Sequence, residues 1–127
     1  MAESRRRSRM ATETHREWEW TSGRRALNEA LFRRLNEEIE RIEIDNGADA
    51  GQPIDFICEC SSATCMKVVS LSRAEYEAVR EGPSTFIVAP GHEEPAIEDV
   101  VVSYSEFSVV EKHGEAAAVA EETDPRD

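Results

Sequence analysis

The chain has 127 residues and a mass of 14.3 kDa, room for one modest domain and too little for two. Acidic residues outnumber basic ones 27 to 15, giving a formal net charge of −12, and a bulk acidic surface argues against wrapping nucleic acid. No apolar run approaches the roughly 18 residues of a membrane span, and three cysteines are too few for a disulfide scaffold, so a reducing, cytoplasmic setting is expected.

The charge is uneven along the chain. Arg5, Arg6, Arg7, Arg9, Arg16, Arg24 and Arg25 face only Glu3, Glu13, Glu17 and Glu19 in the first 25 residues, whereas the remainder is strongly acidic. Polar sequence follows Arg9 where a secretory leader would be apolar, so no leader is expected. Residues 1–22 read as a disordered basic arm. Within it, Trp18 and Trp20 are expected to dock on the domain, with a partner as the other destination.

From Arg24 to about Glu43 the pattern is helical. Leu27, Leu31, Leu35, Ile39 and Ile42 recur at steps of four and three, with Ser22 placed to cap the helix. The stripe is expected to pack on the domain's own sheet; dimerisation through it is the alternative. Asn46-Gly47 and Gly51-Gln52-Pro53 then mark a loop. Ile54, Phe56 and Cys58 alternate as in a strand, and the Met66–Val69 run predicts its partner across a cysteine turn. Ser72 and Glu75 have capping-box spacing, with Leu71 and Tyr76 spaced as a hydrophobic staple, so a short helix starts at Arg73 and stops at Gly82-Pro83. Residues 85–88 predict another strand, and Val100–Val102 with Phe107, Val109 and Val110 predict a final hairpin. From Gly114 an Ala/Glu-rich tail is expected to fray after a short helical turn.

All three cysteines fall in Phe56-Ile57-Cys58-Glu59-Cys60-Ser61-Ser62-Ala63-Thr64-Cys65, a C-x-C-x4-C spacing. Thiolates this close on a turn can converge on one soft cation, and Zn2+ takes four donors in a tetrahedron. Turn amides can donate to the sulfurs as well. His92 is chosen as the fourth donor because Ala89-Pro90-Gly91-His92 is a turn that follows a buried-looking strand. His113, His15 and Glu59 are the other candidates. Two readings without a metal stand beside this one: Cys58 as a plain core residue with Cys60 and Cys65 incidental, or a Cys60–Cys65 disulfide acting as a redox switch.

Four stretches resemble a group of small bacterial proteins with no assigned activity. They are the helix beginning Arg25-Ala26-Leu27-Asn28, the Phe56-Ile57-Cys58-Glu59-Cys60 run with Cys65, Leu71-Ser72-Arg73-Ala74-Glu75-Tyr76, and Val88-Ala89-Pro90-Gly91-His92-Glu93. The resemblance covers residues 24–125. It implies the same unit fold, the same four ligands and a cytoplasmic setting.

No catalytic pattern accompanies the cluster. His92-Glu93-Glu94 formally matches the H-x-E of zinc deaminases, but their P-C-x-x-C partner is missing and the cysteines precede the histidine. There is no H-E-x-x-H, nucleophile elbow or phosphate-binding glycine loop. The expected fold is α+β. A long N-terminal amphipathic helix lies on a small, mostly antiparallel sheet with a zinc-knuckle hairpin and a short crossover helix. Residues 23–113 form a single zinc-stabilised domain, and residues 114–127 a flexible acidic tail. The expected function is that of a non-enzymatic regulator or adaptor acting by protein–protein interaction, as a monomer or a homodimer through the N-terminal helix. A thiol-based redox or metal sensor is the first alternative. A nucleic-acid-associated regulator using the basic arm is the second.

Overall fold

A computed structural model describes residue 25 and residues 27–62, 64–65 and 67–126. The expected basic arm, its two tryptophans and the Ser22 cap lie outside the described residues. Helix α1 occupies residues 27–45. Strands β1 (Pro53–Ile57) and β2 (Val68–Ser72) form an antiparallel hairpin, and helix α2 (Arg73–Arg80) leads to β3 (Thr85–Val88). Strands β4 (Glu98–Ser103) and β5 (Ser108–Lys112) follow, and helix α3 (Gly114–Glu122) comes last. The fold is α+β, with a helix packed on antiparallel sheet.

The strands form two small sheets rather than one. The first is β1–β2; the second has the order β3-β5-β4, antiparallel throughout. They are stitched together where the chain leaves β1, because the Glu59 N–H donates to the Ile87 carbonyl over 2.8 Å. The core lies between them. Phe56 stacks on Tyr76 with ring centroids 4.4 Å apart, and Ile54, Leu71, Phe86, Ile87 and Val110 close around the pair.

The predicted local signals at α2 are met. The Ser72 hydroxyl accepts from the Glu75 N–H and the Glu75 carboxylate accepts from the Ser72 N–H. The staple residues Leu71 and Tyr76 are both buried.

Two expectations are corrected. Helix α1 packs on the domain with the face opposite to its leucine stripe. It buries Glu29, Phe32, Arg33, Asn36 and Glu40, while Leu27, Leu31, Leu35 and Ile42 are 65%, 52%, 43% and 52% exposed. Of the stripe only Ile39 reaches the core. The cause is a set of polar partners supplied by distant elements. Lys112 at the end of β5 is buried between the carboxylates of Glu29 and Glu98. The Arg33 guanidinium donates to the Pro83 and Ala120 carbonyls, each at 2.6 Å, and lies 4.5 Å over the Phe86 ring. A buried polar group satisfied in this way holds its place against apolar competition.

The second concerns the segment from Gly114, expected to fray after a short helical turn: α3 continues to Glu122 and buries Ala120 in the core, Arg33 holds the Ala120 carbonyl, and Arg126 pairs with Glu37, Glu40 and Glu77.

Candidate metal centre

Cys58 follows β1 directly. Its N–H donates to the Lys67 carbonyl at 2.8 Å, which extends the β1–β2 ladder by one rung and sets the thiol at the hairpin end. The chain then turns through Ser61 and Ser62. The Cys65 N–H donates to the Ser62 carbonyl at 3.2 Å, folding the third thiol back toward the first two. The histidine arrives from the other sheet. After β3, Pro90 and Gly91 occupy the centre of a tight turn closed by the His92 N–H on the Ala89 carbonyl at 2.9 Å. Gly91 has φ +85°, the left-handed conformation required at the third position of a type II turn.

Cys58, Cys60, Cys65 and His92 thereby come together, with one donor atom from each lying within 4.8 Å of the others. The His92 Nδ1 is 3.7 Å from the Cys58 sulfur and 3.4 Å from the Cys65 sulfur. Around a tetrahedral ion, Zn–S bonds of roughly 2.3 Å and Zn–N bonds of roughly 2.0–2.1 Å set sulfur and nitrogen about 3.6 Å apart. The observed spacing suits such an ion, and the four residues could hold a metal. Cys58 and Cys60 are buried and Cys65 is half-buried, and all three are free thiols, so the alternative Cys60–Cys65 disulfide is not formed.

The surroundings favour sulfur as an anionic ligand. The Ala89 N–H donates to the Cys58 sulfur at 3.1 Å. Such contacts orient and tune thiolate ligands. Without a cation, burial pushes the Cys58 and Cys60 thiols up, Cys58 strongly, and the neighbouring sulfurs add to the rise at Cys58. A bound cation inverts that preference, because a coordinating thiol gives up its proton.

Glu59, between the first two cysteines, is not a ligand. Its side chain is fully buried and turned away, with one carboxylate oxygen accepting from the Ile87 N–H at 3.0 Å and the other from the Asn36 amide at 2.8 Å. Burial raises its carboxyl to about 7, although the Asn36 and Ile87 donors oppose the shift. His113 is exposed ahead of α3 and outside the cluster, its N–H donating to the Ile97 carbonyl. His15 lies outside the described residues.

Residues that sequence reasoning passed over hold the knuckle in place. Asn36 on α1 donates to the Ile57 carbonyl at 2.8 Å and accepts from the Ile57 N–H at 2.9 Å. Asn28 donates to the Ser61 carbonyl at 3.1 Å. The available signal was two asparagines eight positions apart on a helix, where asparagine is a poor former and needs a reason to be present.

Comparison of the chain with protein-family models, with characterised proteins and with solved structures finds no match. Among the described residues no helix is long and apolar enough to cross a membrane.

Proposed function

We propose that the Cys58–Cys60–Cys65–His92 cluster binds a structural Zn2+, and that the domain is a non-enzymatic regulator or adaptor acting through contact with another protein in a reducing, cytoplasmic compartment. The observation that carries the metal assignment is the convergence of three sulfurs and one imidazole nitrogen, all within 4.8 Å of one another, from segments that leave two separate sheets. A donor set of three thiolates and one imidazole suits Zn2+. Four protein donors close the coordination shell, whereas a catalytic zinc keeps a position for water or substrate. When bound, the ion supplies a cross-link between the hairpin end and the turn after β3.

A cleft of about 510 Å³ lies between α2 and the β4–β5 hairpin, lined by Val79, Val101, Val102 and Phe107 among others. Of its two glutamates, Glu75 is committed to the α2 cap.

Elemental analysis of the purified chain tests the assignment. One equivalent of zinc per chain, lost when Cys60 or His92 is replaced, is the expected result. A chain that folds fully without metal overturns it.

The half-buried position of Cys65 favours a second reading, thiol-based sensing. Hydrogen peroxide would take two electrons from two of the thiolates, forming an S–S bond; its O–O bond breaks and, with two protons from solvent, it leaves as two waters while the ion departs. Zinc release under mild peroxide, reversed by a thiol reductant, supports this role. A metal that stays bound under those conditions eliminates it.

A further inference from the structure

Helix α1 carries an amphipathic pattern whose two faces are inverted relative to an ordinary surface helix. Its polar face is buried, and Leu27, Leu31, Leu35 and Ile42 form a strip along the outside, each between 43% and 65% exposed. On a helix these positions span about 23 Å within one narrow sector. Contiguous exposed apolar patches of this kind mark contact surfaces. Among the described residues nothing covers the strip, because the polar contacts of α1 with the sheets and α3 come from the opposite face.

We infer that this strip is covered by the same strip of a second copy of the chain, the two α1 helices packing antiparallel about a twofold axis. Three observations favour this occupant. The strip is straight and lies on one helix, so it is self-complementary under a twofold, as an isologous interface requires. Its charges also match themselves. Arg34 and Glu38 are exposed along the strip, Glu38 pairing with Arg41 on its own helix, and a twofold near residue 36 brings each Arg34 level with Glu38 of the second copy. Arg41 and Asp45 keep the same sector near neutrality although the chain as a whole carries −12, so the strip itself adds little like-charge repulsion between two copies. Finally, with the alkyl stems of the flanking residues, the face offers on the order of 600 Å² per chain, the lower range of specific interfaces. That area corresponds to a dimer that dissociates on dilution. Residues 1–24 are the competing intramolecular occupant. They join α1 beside Leu27, whereas a second helix covers the strip along its whole length to Ile42.

The inference does not rest on the metal assignment. Light scattering or sedimentation of the full chain, with whatever metal it carries, is expected to give twice the 14.3 kDa chain mass at high concentration and one chain mass on dilution. Leu31→Gln with Leu35→Gln should give a monomer with unchanged circular dichroism and metal content. Arg34→Glu alone should weaken the dimer about tenfold through like-charge contact, and adding Glu38→Arg should restore it, which a folding defect would not do. A single chain mass at the highest soluble concentration overturns the inference. So does a dimer indifferent to the two glutamines, and so does a monomer whose tryptophan emission shifts on Leu31→Gln, since Trp18 and Trp20 would then be covering the strip.

Discussion

Two polar clusters fasten α1 to the rest of the molecule, and they work by different means. On one edge of the helix, Asn28 and Asn36 hold the backbone of the cysteine knuckle. On the other, Glu29, Arg33 and Glu37 meet Lys112, the carbonyls of Pro83 and Ala120, and Arg80. The charged edge draws its partners from the chain itself, although Arg33 Nε and Arg80 Nη1 are buried without one among the described residues. The knuckle edge adjoins four residues that could hold a metal. Under the proposed zinc assignment, stability on that side depends on metal supply as well as on sequence, and on the other side on sequence alone.

Substitutions can separate the two sides. Cys60→Ser is expected to have the largest effect, reducing zinc content to background and lowering the unfolding free energy by on the order of 5 kcal/mol or more. Chelator titration of wild type during thermal melting should approach the same value, and a variant that melts like wild type contradicts the dependence on metal. Lys112→Met should cost about 3–5 kcal/mol because it strands two buried carboxylates, yet leave zinc content intact. Adding Glu29→Gln and Glu98→Gln should recover much of that loss in denaturant melts. Arg33→Met should cost about 2–3 kcal/mol by leaving two carbonyls without donors. Hydrogen exchange should then accelerate in α3 and hardly change in the knuckle.

A smaller effect comes from pH. Burial raises the Glu29 carboxyl to about 7, with Lys112 opposing the shift. One lysine faces both carboxylates, and the nearby Glu98 adds to the rise at Glu29. Below its ordinary value of 4.5 both folded and unfolded chains are protonated there, and the stabilisation is fully present. As pH rises toward 7 the unfolded chain releases this proton and the native chain retains it, so stability falls across that window by on the order of 2 kcal/mol. Glu29→Gln should make that part of the profile shallower in paired chemical melts, leaving the share of Glu59, whose carboxyl is raised to the same range, and an unchanged profile would remove Glu29 as a source. The smallest effect is at Tyr76, whose hydroxyl is buried with no hydrogen-bond partner among the described residues. Tyr76→Phe should leave stability unchanged or raise it by about 1 kcal/mol.

What could be read from the sequence was what neighbouring residues decide. The Ser72–Glu75 cap, the strand alternation at Ile54 and Phe56, the Pro90-Gly91 turn and the cysteine spacing are all local, and the structure has each of them. His92 was within reach because its turn follows a strand. The orientation of α1 was not legible. Leu27, Leu31 and Leu35 form the better apolar face, but the side that docks is chosen by Lys112, Glu98 and Ala120, which are remote in sequence. The docking of α3 was hidden for the same reason, as Ala120 gains its place from Arg33 across 87 positions. Glu59 looked like a spare donor between two cysteines; only the tertiary structure shows its carboxylate spent on Asn36 and Ile87.

Asn36 has a mechanical consequence. Its amide meets both the N–H and the carbonyl of Ile57, as the backbone of an adjacent strand would. The helix is in effect keyed to the hairpin at that point. Rolling it by one residue's worth of rotation, about 100°, would pull the key from its slot and leave both backbone groups dry and unanswered. The outward leucines therefore cannot be tucked in by a small adjustment of the helix, and hiding them would require α1 to leave its seat altogether.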